Sequence, residues 1–224
     1  MTWLLHAQLL DSALPIGAFS HSFGLETLIQ EKRLRSAEDL RVYCRAMLHG
    51  AWAPCDALVV KAAYLWADEP EKLWELDRAL HLSRAARETR EGMQKIGRRL
   101  LHLGKSLHPD LPWIEIEDAV NTSAAAGGYA TVYGWLCHHL GVPLERAACG
   151  YLFSCLSGTV NNAVRAMRLG QTDGQKVVAS LLPEIELAWQ SVATREPWEF
   201  ETSAPQAEIA MMRHETLYSR LFMS

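Results

Sequence analysis

The chain has no Cys-x-x-Cys pair, no apolar run long enough to cross a bilayer and no surplus of basic residues. Its five cysteines, Cys44, Cys55, Cys137, Cys149 and Cys155, are odd in number and scattered, which excludes a zinc ribbon or a redox pair and reads as free thiols in a reducing compartment. Lys and Arg total 22 against 26 Asp and Glu, a net charge of -4, which sets nucleic acid aside as a partner because gripping a polyanion needs the opposite balance. The lack of a long apolar stretch excludes a membrane span. The opening residues have no basic flank and are interrupted by His6, Gln8 and Asp11, which argues against a signal peptide, so a cytoplasmic location is expected. Alternating β patterns, internal repeats and low-complexity tracts are also missing, apart from a few residues at Trp113–Ile116.

What is present is helical spacing over most of the 224 residues, with 49% apolar and 21% charged residues, enough to fold and bury a core. Ser36-x-x-Asp39 is a helix-opening cap, followed by Leu40, Tyr43, Met47, Leu48 and Ala51 at intervals of three and four. Pro54 and Pro70 stand where following helices accept proline in their first turn. Met93, Ile96, Leu100, Leu101 and Leu103 define another helix, expected to stop among the Gly and Pro residues at 104–112. The small residues Ala124, Ala125, Ala126, Gly127 and Gly128 predict a tightly packed central helix over 123–130, with another backbone close by. Pro143 opens a long buried helix to about Met167, and Thr172–Ala193 is helical with Pro183 kinking or dividing it. The expectation is an all-α bundle of about eight to ten helices in one domain, 1–224, with a docking tail at about 203–224.

Motifs for chemistry fail on inspection. Gly104-Lys105-Ser106 ends like a phosphate-binding loop, but Arg99 stands in place of the first glycine and a helix precedes it where a strand is needed. Ser20-His21-Ser22-Phe23-Gly24 misses the Gly-x-Ser-x-Gly elbow by one residue and lacks its preceding strand. His138 and His139 are adjacent, so their side chains leave a helix roughly 100° apart and do not share an ion; His214-Glu215 lacks the second histidine of a zinc-protease motif. The basic stretch Arg84, Arg87, Arg90, Lys95, Arg98, Arg99 and Lys105, interrupted by Glu88 and Glu91, reads as a solvated face. No catalytic residue, metal site or cofactor is assigned.

Two segments fit neither core nor solvated helix. Leu14-Pro15-Ile16-Gly17-Ala18-Phe19-Ser20-His21-Ser22-Phe23-Gly24-Leu25-Glu26 is a Pro-x-Gly turn running through serines into a helix. Arg213-His214-Glu215-Thr216-Leu217-Tyr218-Ser219-Arg220-Leu221-Phe222 concentrates Arg, Tyr and Phe, the residues that anchor interfaces, where a chain end normally frays. Both resemble blocks of the urease accessory protein UreF family, Leu-Pro-x-Gly-x-(Tyr/Phe)-Ser-x-Ser-x-Gly-Leu-Glu and Arg-His-Glu-x-x-Tyr-Ser-Arg-Leu-Phe. Arg87-Glu88-Thr89-Arg90 and Arg165-Ala166-Met167-Arg168-Leu169-Gly170-Gln171 look like two more. Arg165 replaces the family's Lys, Arg168 replaces its Pro, and Phe19 lacks the hydroxyl of Tyr.

The resemblance implies an all-helical homodimer that binds a UreD/UreH-type accessory protein and recruits and gates the GTPase UreG, which delivers nickel to the urease apoprotein. It places Ser22, Glu26 and Arg165 at the surface that meets the GTPase, and implies that Arg213–Phe222, above all Arg220, orders when the complex forms. Partner-binding residues by this carry-over are Phe19, Ser20, Ser22, Glu26, Arg165, Gln171, Arg213, His214, Glu215, Tyr218, Arg220 and Phe222. Structural roles fall to Pro15, Gly17, Gly24, Gly127, Gly128 and Gly170. Two other readings follow it in rank: a nickel-binding metallochaperone passing the ion through its own His and Cys residues, and a helical hydrolase using Ser22 and His21.

Overall fold

The computed structural model describes residues 2–224, and among these every regular element is helical. Short pieces come first: α1 (Thr2–Leu9), a 3-10 turn (Ala18–Ser20) and α2 (Leu25–Gln30). α3 (Ala37–Met47) opens on the expected cap, with Asp39 N–H donating to the Ser36 hydroxyl and the Asp39 carboxylate accepting from Ser36 N–H. A π-helical stretch, Leu48–Ala57, then runs without a break into α4 (Leu58–Leu65). After these come α5 (Pro70–Ser83), α6 (Arg87–Leu107), α7 (Trp113–Asn121), α8 (Tyr129–His139), α9 (Leu144–Ala166), α10 (Gln171–Val192), a 3-10 turn at Pro197–Glu199 and α11 (Pro205–His214). The π stretch fuses α3 and α4 into one rod, so the described residues form ten rods.

Three local expectations are corrected, and one is met. Pro54 does not start a helix: it lies inside the π stretch, whose wider i→i+5 turn gives the ring room that an α-helical carbonyl four residues back would take, although the N–H bond is lost in either register. α6 ends at Leu107, within the expected stretch, and Gly104 in its last turn faces the Trp113 ring, where a Cβ would come within 2.6 Å. Trp113–Ile116 belongs to α7, not to a strand. Residues 122–128 are a loop, and the central buried helix is α8, which starts at Tyr129.

The close backbone approach inferred from Gly127 and Gly128 is present, but its partner is a helix from the other side. Gly97 of α6 presses against the Gly127 carbonyl oxygen, and any Cβ there would overlap it. Gly127 itself has φ +72°, which excludes most other residues. The loop is held from beneath by buried Asp77 of α5, whose carboxylate accepts from Gly127 N–H (2.8 Å), Gly128 N–H (3.2 Å) and the Thr131 hydroxyl (2.6 Å). These bonds offset the cost of burying the carboxylate and fix the start of α8. Pro183 leaves α10 undivided.

Two packed cores result. One gathers α4 to α8 with Tyr133 and Tyr151 at its centre; the other gathers α2, α3, α10 and α11 around Leu40, Leu48, Leu152 and Leu156. α9 contributes to both and is the spine between them. α11 packs on α2 and α6, which brings the last part of the chain back to the first.

Candidate functional site

The Pro15–Glu26 segment is bent by backbone that few residues tolerate. Gly17 and Gly24 have φ of +79° and +84°, and a side chain at Gly24 would come within 2.8 Å of the Met211 main-chain nitrogen on α11. These turns swing Ser22 and Glu26 inward at the N-terminal turn of α2, where the helix dipole favours a carboxylate. The Ser22 hydroxyl accepts weakly from Glu26 N–H at 3.4 Å.

The tail fills the space they face. Beyond α11 the chain returns across α2, and the Ser224 main-chain oxygen accepts from Ser22 N–H (2.6 Å), Phe23 N–H (3.0 Å) and the Ser22 hydroxyl (2.7 Å), while Met223 N–H donates to the Ser20 carbonyl (2.8 Å). Glu26, 5% exposed, accepts from Leu221 N–H (2.7 Å), Phe222 N–H (3.1 Å), the Gln30 amide (3.3 Å) and the His214 ring (Nε2, 3.1 Å). His214 has no exposure at all and lies with Nδ1 2.6 Å from Glu88 at the head of α6. Glu88 also accepts from Arg220 at 2.7 Å. Two carboxylates from distant helices thus hold one tail, and no charge in the cluster is left without a partner.

α9 closes the site from the other side. Arg165 donates to the Phe19 carbonyl (2.6 Å), and its guanidinium lies over the Phe222 ring (5.0 Å) and the Phe19 ring (5.9 Å). One turn earlier, Asn162 donates to the His21 carbonyl at 2.7 Å. Phe222 is only 3% exposed. All four sequence blocks therefore meet in one place.

Other predicted residues stand at the rim or apart. Arg213 pairs with Glu31, and Glu215 with Arg87. Tyr218, at 106% exposure, projects fully into solvent, and Phe19 is exposed. Pro15 is exposed; Gly170 caps α10, and Gln171 on its first turn takes no part in these hydrogen bonds. Gly128, under α8, belongs to the Asp77 loop instead. Ser22 and Glu26, implied to sit in or near the surface that meets the GTPase, are buried beneath the tail. The cause is charge burial, since Glu26 reaches its full set of donors only from Leu221, Phe222 and His214. The sequence carries Glu88 within the Arg87–Arg90 block but gives it no role, and it singles out neither Asn162 nor Gln30; Asn162, one turn before Arg165, is the findable one.

No Ser–His dyad is assembled. The Ser22 hydroxyl donates to the Ser224 oxygen, whereas His21 Nδ1 sits 2.8 Å from the Ser224 hydroxyl and its ring stacks on Phe23. Burial, then Lys95 and Arg99, hold the His21 imidazole down at about 4. Below pH 6.5 the unfolded chain takes up this proton before the folded one does, so the stability that neutral His21 preserves above 6.5 is lost as pH falls toward 4. His21→Gln is expected to flatten the fall in thermal midpoint between pH 6.5 and 5; an unchanged slope would assign the acid sensitivity to other groups.

The histidine pair is also occupied: His138 meets the Tyr64 ring edge-on, and His139 lies 4.1 Å from the Trp135 ring centroid. Burial pushes the Cys55 and Cys137 thiols up to about 12 and the Cys149 thiol to about 11, so they resist becoming thiolate ligands. Among the described residues no three His, Cys, Asp or Glu side chains are grouped to hold an ion, and no helix is long and apolar enough to cross a membrane.

Comparison with known proteins agrees with this geometry. The sequence pattern of the UreF family matches residues 34–182. A urease accessory protein UreF from Bacillus sp. (strain TB-90) is 39% identical over 97% of this chain and 96% of its own length. Its counterpart from Lachnoclostridium phytofermentans is 37% identical with the same coverage, and that from Arthrobacter sp. (strain FB24) is 34% identical over 97% of this chain and 95% of its own. The family pattern spans the helical body from before α3 into α10, and the full-length relatives extend the likeness over the first block and the tail. On both counts, this chain belongs to the UreF family of urease accessory proteins.

Proposed function

We propose that the protein is a dimeric docking scaffold that binds a UreD/UreH-type accessory protein and, through that complex, recruits and gates the GTPase UreG for nickel insertion into apo-urease. Nucleotide chemistry then belongs to the GTPase, and nickel is cargo. The observation that carries this reading is the tail seated on the first block. Its buried polar groups are paired within the chain, while Phe19, Tyr218, Leu221 and Met223 are left exposed along the same seam. Large apolar and aromatic side chains displayed on a fixed backbone are what an interface core uses, because the entropy of ordering them has already been lost.

Tyr218 is the sharpest test, having almost nothing to do within the chain. Tyr218→Ala is expected to weaken co-purification with the UreD/UreH-type protein by about thirtyfold, near 2 kcal/mol, as for a hot-spot aromatic. The thermal midpoint should stay put. Unchanged affinity would remove the tail from the interface. The metallochaperone reading gains no support from the thiols, which burial holds protonated.

A further inference from the structure

The structure sorts the basic residues of α6 into used and unused. Arg84, just before the helix, pairs with Asp56; Arg87 is held by Glu91 and Glu215; Arg90 donates to the carbonyls of Arg84 and Ala85; Lys105 grips Glu117 at 2.7 Å. Lys95 stands 3.9 Å from Glu91, at the limit of an ion pair. Arg98, Arg99 and His102 are all exposed, and among the described residues none of them has an ion pair or a hydrogen bond to a side chain. The spacing 95, 98/99, 102 and 106 puts these residues on one face of the helix.

That face is also shaped. Arg98, Arg99, His102, Leu103, Ser106 and, from the first block, Pro15 line one shallow, open groove. The Arg99 guanidinium lies directly against Gly17, so the first block and this arginine share one side of the groove. The positive field is felt nearby: after burial, Lys95 and Arg99 are the main causes of the depressed His21 imidazole. A protein of net charge -4 that leaves these cations unneutralised in a groove has a local potential opposite to its overall one.

We propose that this groove binds an acidic, extended segment of a partner protein, with Asp or Glu carboxylates on Arg98 and Arg99 and the segment's backbone lying between Pro15 and Leu103. Guanidinium forks match carboxylates two bonds at a time, and Leu103 and Pro15 give apolar contact that a bare ion would not use. Nucleic acid fits poorly, because tracking a polyphosphate needs a longer basic surface than a chain of net charge -4 presents. The inference rests on the docking reading only in taking the ligand to be protein, and it adds a surface separate from the Tyr218 seam.

The test is fluorescence anisotropy of the intact protein with fluorescein-labelled hexaglutamate, at low and at moderate salt. Saturable binding that weakens with salt is expected, and Arg98→Ala and Arg99→Ala should each reduce it by about tenfold, the worth of one lost charge-assisted pair. Arg98→Lys and Arg99→Lys should recover part of the loss, and Lys176→Ala on α10 should change nothing. Circular dichroism melts show whether each variant is folded. Absence of saturable binding, equal binding by the folded alanine variants, tighter binding of a labelled hexathymidylate, or displacement by inorganic phosphate beyond what chloride achieves at equal ionic strength would each overturn the proposal. The outcomes separate from the docking reading: Tyr218→Ala should bind hexaglutamate normally, and a failed groove leaves its co-purification result standing.

Discussion

Glu26→Ala is expected to free residues 215–224 from the helical body while α3 to α10 keep their packing. The buried carboxylate is the shared acceptor for Leu221 N–H, Phe222 N–H and His214 Nε2, while Glu88 faces the other nitrogen of the His214 ring. Hydrogen bonds to a charged group are worth about 1.5–3 kcal/mol each, and losing one side of a buried charged cluster costs about 3–5 kcal/mol in all. Since this penalty falls on contacts made by the tail, amide exchange at Leu221, Phe222 and Met223 should accelerate by at least about a hundredfold, with exchange in α8 and α9 little changed. Co-purification with the UreD/UreH-type protein should fall with it, because Tyr218 and Leu221 are then no longer held on a fixed backbone. Glu26→Gln should land between, keeping the side chain's shape and one acceptor oxygen. Protected tail amides in Glu26→Ala would show that Phe222 packing under Arg165, and not the carboxylate, seats the tail.

Much of the fold was legible because it depends on signals a few residues apart. The Ser36–Asp39 box, Pro70 and Pro143 mark helix starts where the structure has them, and the apolar spacing within α6 and α9 identifies buried faces. The failures came where a distant partner decides. Pro54 reads as a helix start because a π register leaves no mark in the three-and-four spacing of apolar residues. Gly127 and Gly128 read as a packed helix because the signal, small residues beside another backbone, was right, while the partners that make a loop there, Gly97 and Asp77, lie far off in sequence.

The site divides the same way. Two of its four blocks stood out by residue type, since Arg, Tyr and Phe near a chain end and glycine-rich bends before a helix have few uses in a core; the other two stood out only by their resemblance to family blocks. What composition does not carry is that the blocks are one another's partners. Glu26 and His214 lie on different helices, and nothing in the periodicity of either says that the carboxylate is roofed by the tail. Of the residues that read as contact surface, Ser22, Glu26, His214 and Phe222 are buried in the tail's seat, whereas Phe19 and Tyr218 are exposed, as is Leu221 beside them.

That seat has a foundation in the π stretch, which leads to the last expected result. Asp56, buried there, pairs with Arg84, the residue that follows α5; three residues further on, α6 begins, with Glu88 in its first turn. Arg90 reaches back to the Arg84 and Ala85 carbonyls, so the short connection is fixed from both sides. Asp56→Ala leaves the Arg84 guanidinium against apolar walls with its charge unmatched, at a cost of about 3–5 kcal/mol. Asp56→Ala with Arg84→Met should recover most of that stability, since an apolar pair of similar volume avoids the desolvation that the ion pair must overcome. The two variants separate stability from positioning. If the connection sets where Glu88 sits, the double variant, though restored in thermal midpoint, should still show faster amide exchange at Leu221 and Phe222 than the parent, because the Glu88 bonds to His214 and Arg220 depend on that placement. Full restoration of both would make the buried pair a matter of stability alone and leave the tail's seat to Glu26 and Arg165.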